Sequence, residues 1–220
     1  MQISFVSLFP ESTRSVIAAS IIGRAVQSGI LKINEVQIRD FATDKHKTVD
    51  DTPCGGGPGQ IMKVDVVVSA LRSVLSDVKT RVILTDPAAK KFKQADAKRL
   101  AEYDHLVFVC GRYEGIDARI EHYVDEAFSI GDYVLTGGEL PALVMLDATV
   151  RHIPGVLGNP NSLLEESHEA DSVEYRQYTR PIEFEGHAVP EVLLSGDHAK
   201  VQAFRFEEQR LRGLHGSFPS

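Results

Sequence analysis

Cysteine is scarce in this 220-residue chain: Cys54 and Cys110 are alone, and they lie too far apart for a paired metal motif. Such cysteine use fits a reducing cytoplasm. Long hydrophobic runs are missing too, since RVILTD and HLVFVC are short and interrupted by charge, far below the ~20 residues that cross a bilayer. No transmembrane helix and no membrane partner are expected, and MQISFVSLF carries neither a basic leader nor a cleavage-site pattern. Excess positive charge is also lacking. Against 31 Asp and Glu stand 24 Lys and Arg, a net charge of −7, which argues against a protein that grips nucleic acid with its whole surface. Local basic clusters remain at Lys45, His46 and Lys47, at Lys90, Lys91 and Lys93, and at Arg205, Arg210 and Arg212. Short runs of this kind are ordinarily solvated surface. The common nucleotide fingerprints are absent as well: GGGPGQIMK does not fit the Gly-Lys-Ser/Thr phosphate loop, and no G-x-G-x-x-G opens a helix after the first strand. A phosphate-gripping ATPase and a dinucleotide dehydrogenase both lose support.

What is present is an ordinary globular composition, 43% hydrophobic, enough for one substantial core or for a main domain with a small appendage. Apolar, β-rich runs predict strands near 3–8, 35–38, 81–85, 106–110 and 127–130. Helix-period segments alternate with them near 14–28, 63–76, 94–101, 117–123 and 140–151. This order predicts an α/β fold with a largely parallel sheet flanked by helices. After Pro154 the composition turns polar and turn-rich in GVLGNPNSLLEESHEADS, and a last helical segment follows at 198–212. The expected organisation is a main domain over 1–157, a flexible linker over 158–176 and a small C-terminal domain over 177–220.

Ligands of open parallel sheets collect beyond the carboxyl ends of the strands, and three unusual segments sit at such ends. TDPAAKKF follows the strand at Val82, and CGRYEGID follows the strand at Val107. SIGDYVLTGGELP, the richest of the three in glycine and proline, follows the strand at Phe128. Glycine there lets a ligand approach the backbone, whose N–H and C=O groups supply directional hydrogen bonds. An adenosine-containing cofactor held by loop backbone fits this pattern. A fourth segment, VDDTPCGGGPGQ, sets Asp50 and Asp51 before Gly55, Gly56, Gly57 and Gly59; it is costly to order alone and is a candidate substrate loop. The linker carries Glu165, Glu166, Ser167 and His168, groups able to transfer protons, although most acidic linkers only keep a loop solvated.

Read in order, ISFVSLFPE, GRAVQSGIL, RDFATDKHKTVDDTPCGGGPG, CGRYEGID, DEAFSIGDYVLTGGELPAL, RHIPGVLG, YTRP and VLLSGDHAKV span nearly the whole chain. Together they resemble the bacterial tRNA (guanine-N1)-methyltransferase family of the SPOUT superfamily. The resemblance implies a homodimer with a trefoil knot through residues 81–146, and an active site at the subunit interface. It implies that S-adenosylmethionine is bound by Pro87 of the first segment, by Gly111, Tyr113, Glu114 and Gly115 of the second and by Ile130, Gly131, Asp132, Tyr133, Val134, Leu135, Gly137, Gly138 and Pro141 of the third, and that a methyl group is transferred to N1 of the guanine at position 37, next to the anticodon of tRNA. The anticodon stem-loop is then the RNA partner, and magnesium is a candidate helper ion; no spacing makes a definite metal site.

Guanine N1 carries a proton at neutral pH, so its methylation needs a base, and charge developing toward O6 needs stabilisation. By resemblance the base aligns on Glu166 and the arginine on Arg151, while His46, Asp50, Gly59 and Glu174 align with substrate contacts. The chain departs from the family pattern in having Glu166 and Glu174 where shorter carboxylates are usual, Cys54 for a tyrosine, and Gln60 after Gly59. It also ends at Ser220 without the basic Arg-Arg-Pro tail of many members, so the third domain is expected to be shortened. Two other readings stay open at this point: a knotted methyltransferase acting on another RNA nucleotide, and an RNA-binding relative that keeps the cofactor pocket but has lost catalysis.

Overall fold

A β-rich run buried on both faces reads as a continuous apolar stretch, and HLVFVC takes the central place that this pattern implies. The computed structural model of the chain describes residues 1–158 and 174–215, the last three by backbone alone. Strand β1 (Gln2–Ser7) is followed by helices α1 (Arg14–Ile17) and α2 (Ser20–Gln27), then by β2 (Lys32–Gln37). The short strands β3 (Asp50–Asp51) and β4 (Ile61–Met62) precede α3 (Val64–Arg72), β5 (Thr80–Thr85) and α4 (Gln94–Leu100). The unit closes with β6 (His105–Cys110), β7 (Glu126–Phe128) and α5 (Glu139–Val150). Five strands form one sheet in the order β2-β1-β6-β5-β7, and every pairing in it is parallel.

Alternating side chains of the strands feed two cores. On one face Ile3, Phe5, Ile83, Leu106 and Phe108 pack with Ile22 of α2 and with Leu143, Leu146 and Val150 of α5. On the other, Val6, Val82, Leu84, Val107 and Val109 pack with Val67 and Leu71 of α3. Phe5 and Phe108 stack with centroids 5.7 Å apart on neighbouring strands. The chain divides into two compact units, Met1–Gly158 and Asn159–Ser220. Within the second, a hairpin of β8 (Glu183–Phe184) and β9 (His187–Ala188) precedes α6 (Glu191–Leu194) and α7 (His198–His215). Arg176 Nη1 donates to Glu208 Oε2 at 2.9 Å there, and Arg212 Nη1 donates to the Glu174 carbonyl at 2.7 Å.

Two expected helices differ. The segment 14–28 breaks into α1 and α2 because Ser20 adopts a left-handed φ of 50°. The break brings the Ala18 carbonyl against Gly23, where a Cβ would lie 2.3 Å from that oxygen. Residues 118–123 form a 3₁₀ helix instead of an α-helix. Its cap, Asp117, accepts from the Arg119 side chain and from the Arg119 N–H at 3.0 Å, bonds that hold the Asp117 carboxyl down at about 2. Among the described residues no helix is long and apolar enough to cross a membrane.

One buried polar group makes the fold sensitive to pH. His105, at the start of β6, is fully buried; its Nε2 shares a 2.8 Å hydrogen bond with Ser4 Oγ, and its Nδ1 has no partner among the described residues. Burial lowers its pKa below the ordinary 6.5, so the unfolded chain takes up a proton first as the pH falls. Stability from this group is complete above about pH 6.5 and is lost as the pH drops below that value. Urea unfolding at pH 7.5 and 5.5 should show the wild type losing more stability than His105→Gln. Equal losses in both proteins would remove His105 as the source.

Candidate functional site

The parallel register delivers three segments to one place. Thr85 stands opposite both Cys110 and Phe128, so loops 86–93, 111–117 and 129–138 leave the sheet side by side. Backbone bonds join them: Asp86 N–H to Phe128 O at 3.0 Å, Ser129 N–H to Lys90 O at 2.9 Å and Phe92 N–H to Ser129 O at 2.8 Å. Arg112 pairs with Gly137 in an antiparallel bridge, and Gly138 N–H donates to Gly111 O at 2.9 Å. The three loops wall a cavity of about 490 Å³.

Pro87, Gly111, Tyr113, Glu114, Gly115, Ile130, Tyr133, Val134, Leu135, Gly137, Gly138 and Pro141 all line that cavity. Gly131 and Asp132 do not. Gly131 instead makes room for a neighbour, since a Cβ there would sit 2.3 Å from the Tyr133 ring, and the Asp132 carboxylate pairs with Lys91. Thr85, Asp86, Arg112, Thr136 and Glu121 also form the wall and were not singled out from the sequence. The first four lie inside or beside the glycine-rich segments, so their positions at strand ends were the available signal. Glu121, on the 3₁₀ helix, offered none.

The turn at 137–138 is where backbone replaces side chain. A Cβ on Gly138 would lie 2.0 Å from Thr85 Oγ1 and 2.9 Å from both Cys110 Cα and Gly111 N. On Gly137 it would lie 2.3 Å from Arg112 Nε. Behind this turn Glu139, the first residue of α5, is only 3% exposed. Ser7 Oγ donates to its Oε1 at 2.5 Å, and Arg112 Nε donates to the same oxygen at 3.2 Å. Arg112 Nη2 lies 3.0 Å from Glu139 Oε2 as an ion-pair contact off the hydrogen-bond direction. The same guanidinium donates through Nη1 to Thr136 O at 3.2 Å and stands 4.8 Å from the centre of the Phe9 ring. Burial, with the Glu139 carboxylate adding to it, pushes the Cys110 thiol well above its ordinary range, so this cysteine is not a nucleophile.

The acidic glycine loop docks against the same wall. Strand β3 pairs with β4 so that Asp50 faces Met62. Met62 N–H donates to Gly115 O at 2.9 Å, and Glu114 N–H donates to Gln60 O at 3.1 Å. Gly59, with φ +83°, packs on Glu114 so closely that a Cβ would lie 2.3 Å from Glu114 Cγ. His46 sits apart in an exposed loop, its N–H bound to Asp44 Oδ2 at 3.0 Å. Arg151 caps the carboxyl end of α5 and does not line the cavity. The 12 residues of α5 separate it from the Gly138 turn by roughly 18 Å at 1.5 Å per residue. Glu166 lies outside the described residues, and Glu174 belongs to the second compact unit.

Of the basic clusters, Lys90 lies near Asp96 and Glu126, at 3.4 and 3.6 Å, and Arg210 bonds Glu207, so much of their charge is matched locally. Among the described residues no group of three or more His, Cys, Asp or Glu is arranged to hold a metal ion.

The family described as tRNA (Guanine-1)-methyltransferase TrmD matches residues 1–216. Similar curated proteins, each named tRNA (guanine-N(1)-)-methyltransferase, come from several bacteria. One from Limosilactobacillus reuteri is 49% identical over 220 residues, covering 98% of this chain and 87% of that protein. One from Geobacter metallireducens is 51% identical over 207 residues, covering 93% and 84%. One from Staphylococcus carnosus is 50% identical over 213 residues, covering 96% and 87%.

The contacts at Gly138 generate a stability prediction. Gly138→Ala forces a methyl group against strand backbone and should lower the unfolding free energy by about 1–3 kcal/mol. Gly158→Ala, whose Cβ would meet nothing within 4 Å among the described residues, serves as the control. It should stay within ~0.5 kcal/mol of wild type in the same urea titration.

Proposed function

The chain belongs to the tRNA (guanine-1)-methyltransferase family, and on that premise we propose how its residues divide the work of methylating guanine 37 beside the anticodon. The enzyme transfers a methyl group to N1 of guanine in tRNA, with S-adenosylmethionine as the donor implied by the family. The observation that carries the proposal is the cavity walled by three glycine-rich strand ends, with a turn at Gly137 and Gly138 that admits no side chain. Such a wall suits a nucleoside: Ile130, Leu135 and Pro141 offer apolar surface to a base, and loop N–H and C=O groups offer directional bonds. When bound, the cofactor supplies an electrophilic methyl group on a sulfonium. Pro87, Gly111, Tyr113, Glu114, Gly115, Gly137, Gly138 and Pro141 are the residues that would hold it, with the 130–135 loop closing one side.

The remaining roles fall to groups that bind and deprotonate guanine. Glu166 removes the N1 proton, and Arg151, a planar and permanently charged fork, donates toward the O6 edge where negative charge develops. Asp50 and Gly59, on the loop that packs against Glu114, hold the base, while His46 and Glu174 bind RNA. Magnesium is a candidate helper ion near the RNA, since Asp50 and Asp51 are hard oxygen donors of the type it takes. The cytoplasm is the proposed location and a knotted path through 81–146 the proposed topology.

Two features of α5 support a homodimer. Its sequence, ELPALVMLDATV, is apolar on nearly every side, yet Leu140 and Val144, one turn apart, remain 59% and 50% exposed. A helix apolar all round belongs in an interior, which a second copy of the chain would provide. The same partner would resolve the placement of Arg151, which its own helix holds roughly 18 Å from the cofactor turn. Each active site then combines the cavity of one subunit with the arginine of the other.

Subunit mixing tests this arrangement. Arg151→Ala and Gly137→Leu should each be nearly inactive alone, and refolding the two together should restore methylation through mixed dimers carrying one intact site. No recovery from properly mixed dimers would place both groups in a single chain. For the base, Glu166→Gln should slow single-turnover methylation by about 10²- to 10⁴-fold, with cofactor and RNA affinities little changed. Full activity in that variant would hand the role to another carboxylate.

A further inference from the structure

A cavity that takes S-adenosylmethionine must accept a cation. At neutral pH the sulfonium and the ammonium of this cofactor outweigh its carboxylate, leaving a net positive charge, whereas the thioether product S-adenosylhomocysteine is neutral overall. Arg112 lines that cavity and is permanently charged. An uncompensated guanidinium in the wall would repel the substrate and leave the product unaffected.

The structure supplies the compensation from behind the wall. Glu139 is almost wholly buried, a costly position for a carboxylate unless it is matched by charge and hydrogen bonds. It receives both, from Ser7 Oγ at 2.5 Å, from Arg112 Nε at 3.2 Å, and from Arg112 Nη2 at 3.0 Å in ion-pair contact. It also begins α5, where the helix dipole favours a negative charge. The guanidinium is thereby turned toward the protein: one edge faces Glu139, Nη1 holds the Thr136 carbonyl, and its face meets the Phe9 ring. A Cβ on Gly137 would touch Arg112 Nε, so the turn itself is shaped around the docked cation.

We propose that Glu139 is a specificity-determining positioning residue, which neutralises and orients Arg112 so that the cavity accepts cationic S-adenosylmethionine in preference to its neutral product. The inference rests on the reading of this cavity as the cofactor site. Ser7 supports it by fixing the carboxylate, and Thr136 by fixing the guanidinium. A purely structural role for Glu139 would weaken both ligands alike when the residue is changed; a charge role weakens one.

Isothermal titration calorimetry on the whole 220-residue chain, with S-adenosylmethionine and S-adenosylhomocysteine as the two probes, separates these cases. In Glu139→Gln the preference for the cationic ligand should fall by about tenfold, the order of effect of a unit charge at roughly 10 Å in an effective dielectric of about 20. The fall should shrink as salt is added. The double variant Arg112→Met with Glu139→Gln removes both charges and should return the ratio to that of wild type, even with both affinities lowered. Arg112→Met alone should leave the ratio at or above the wild-type value. If Glu139→Gln does not fold, the double variant and Arg112→Met carry the test, because a fall in the ratio in either would contradict a charge carried by Arg112. Both ligands binding wild type, with an unchanged ratio in Glu139→Gln, would overturn the inference alone. If neither ligand bound wild type, the cofactor reading itself would fall and take this inference with it.

Discussion

Everything at the site depends on how closely one turn can approach two strand ends. Gly138 donates its N–H to Gly111 O, and the space where its side chain would be is filled by Thr85 Oγ1 and by the backbone of Cys110 and Gly111. That contact fixes the start of α5 and presents the Gly137 backbone to the cavity. It also carries Glu139 under the wall, within reach of Ser7 at the end of β1. Sheet register sets the stage, because Thr85, Cys110 and Phe128 are level with one another. A one-residue slip of β5 or β6 would reverse which side chains face each core and would misplace every loop that follows.

The buried polar chain from Ser7 through Glu139 to Arg112 is a different kind of constraint from the apolar cores. Burying the carboxylate gains little net stability, but it places one guanidinium with respect to a backbone turn. Charge, hydrogen bonding and sterics then favour the same geometry. A rigid wall of this type suits a site whose ligand changes charge between substrate and product.

Much of the fold could be read from the chain, for identifiable reasons. The five sheet strands are short apolar runs bounded by polar residues, and each was expected within about three residues of where it lies. HLVFVC is buried at every position, as a central parallel strand should be. The glycines of CGRYEGID and of SIGDYVLTGGELP pointed to strand ends, and those segments do meet around one cavity. Less legible were features that depend on distant partners. Ser7 and Glu139 are separated by 132 residues, and nothing local marks either as half of a buried hydrogen bond. Glu139 reads in sequence as an ordinary acidic residue just before the helix expected near 140–151. The break at Ser20 comes from a single left-handed residue that sets the Ala18 carbonyl against Gly23, a local backbone detail that periodicity does not encode. Exposure of Leu140 and Val144 became visible once the fold had buried the other faces of α5. Glu166 carries its proposed role by resemblance.

The central claim is that this chain joins a cofactor cavity built from backbone to a guanine-deprotonating carboxylate. Its most direct test is single-turnover methyl transfer from labelled S-adenosylmethionine to an anticodon stem-loop transcript, with the modified nucleotide located by nuclease digestion and mass spectrometry. One methyl group on N1 of the guanine that follows the anticodon is the result predicted. Binding of both partners without transfer, or a methyl group on any other nucleotide, would contradict it.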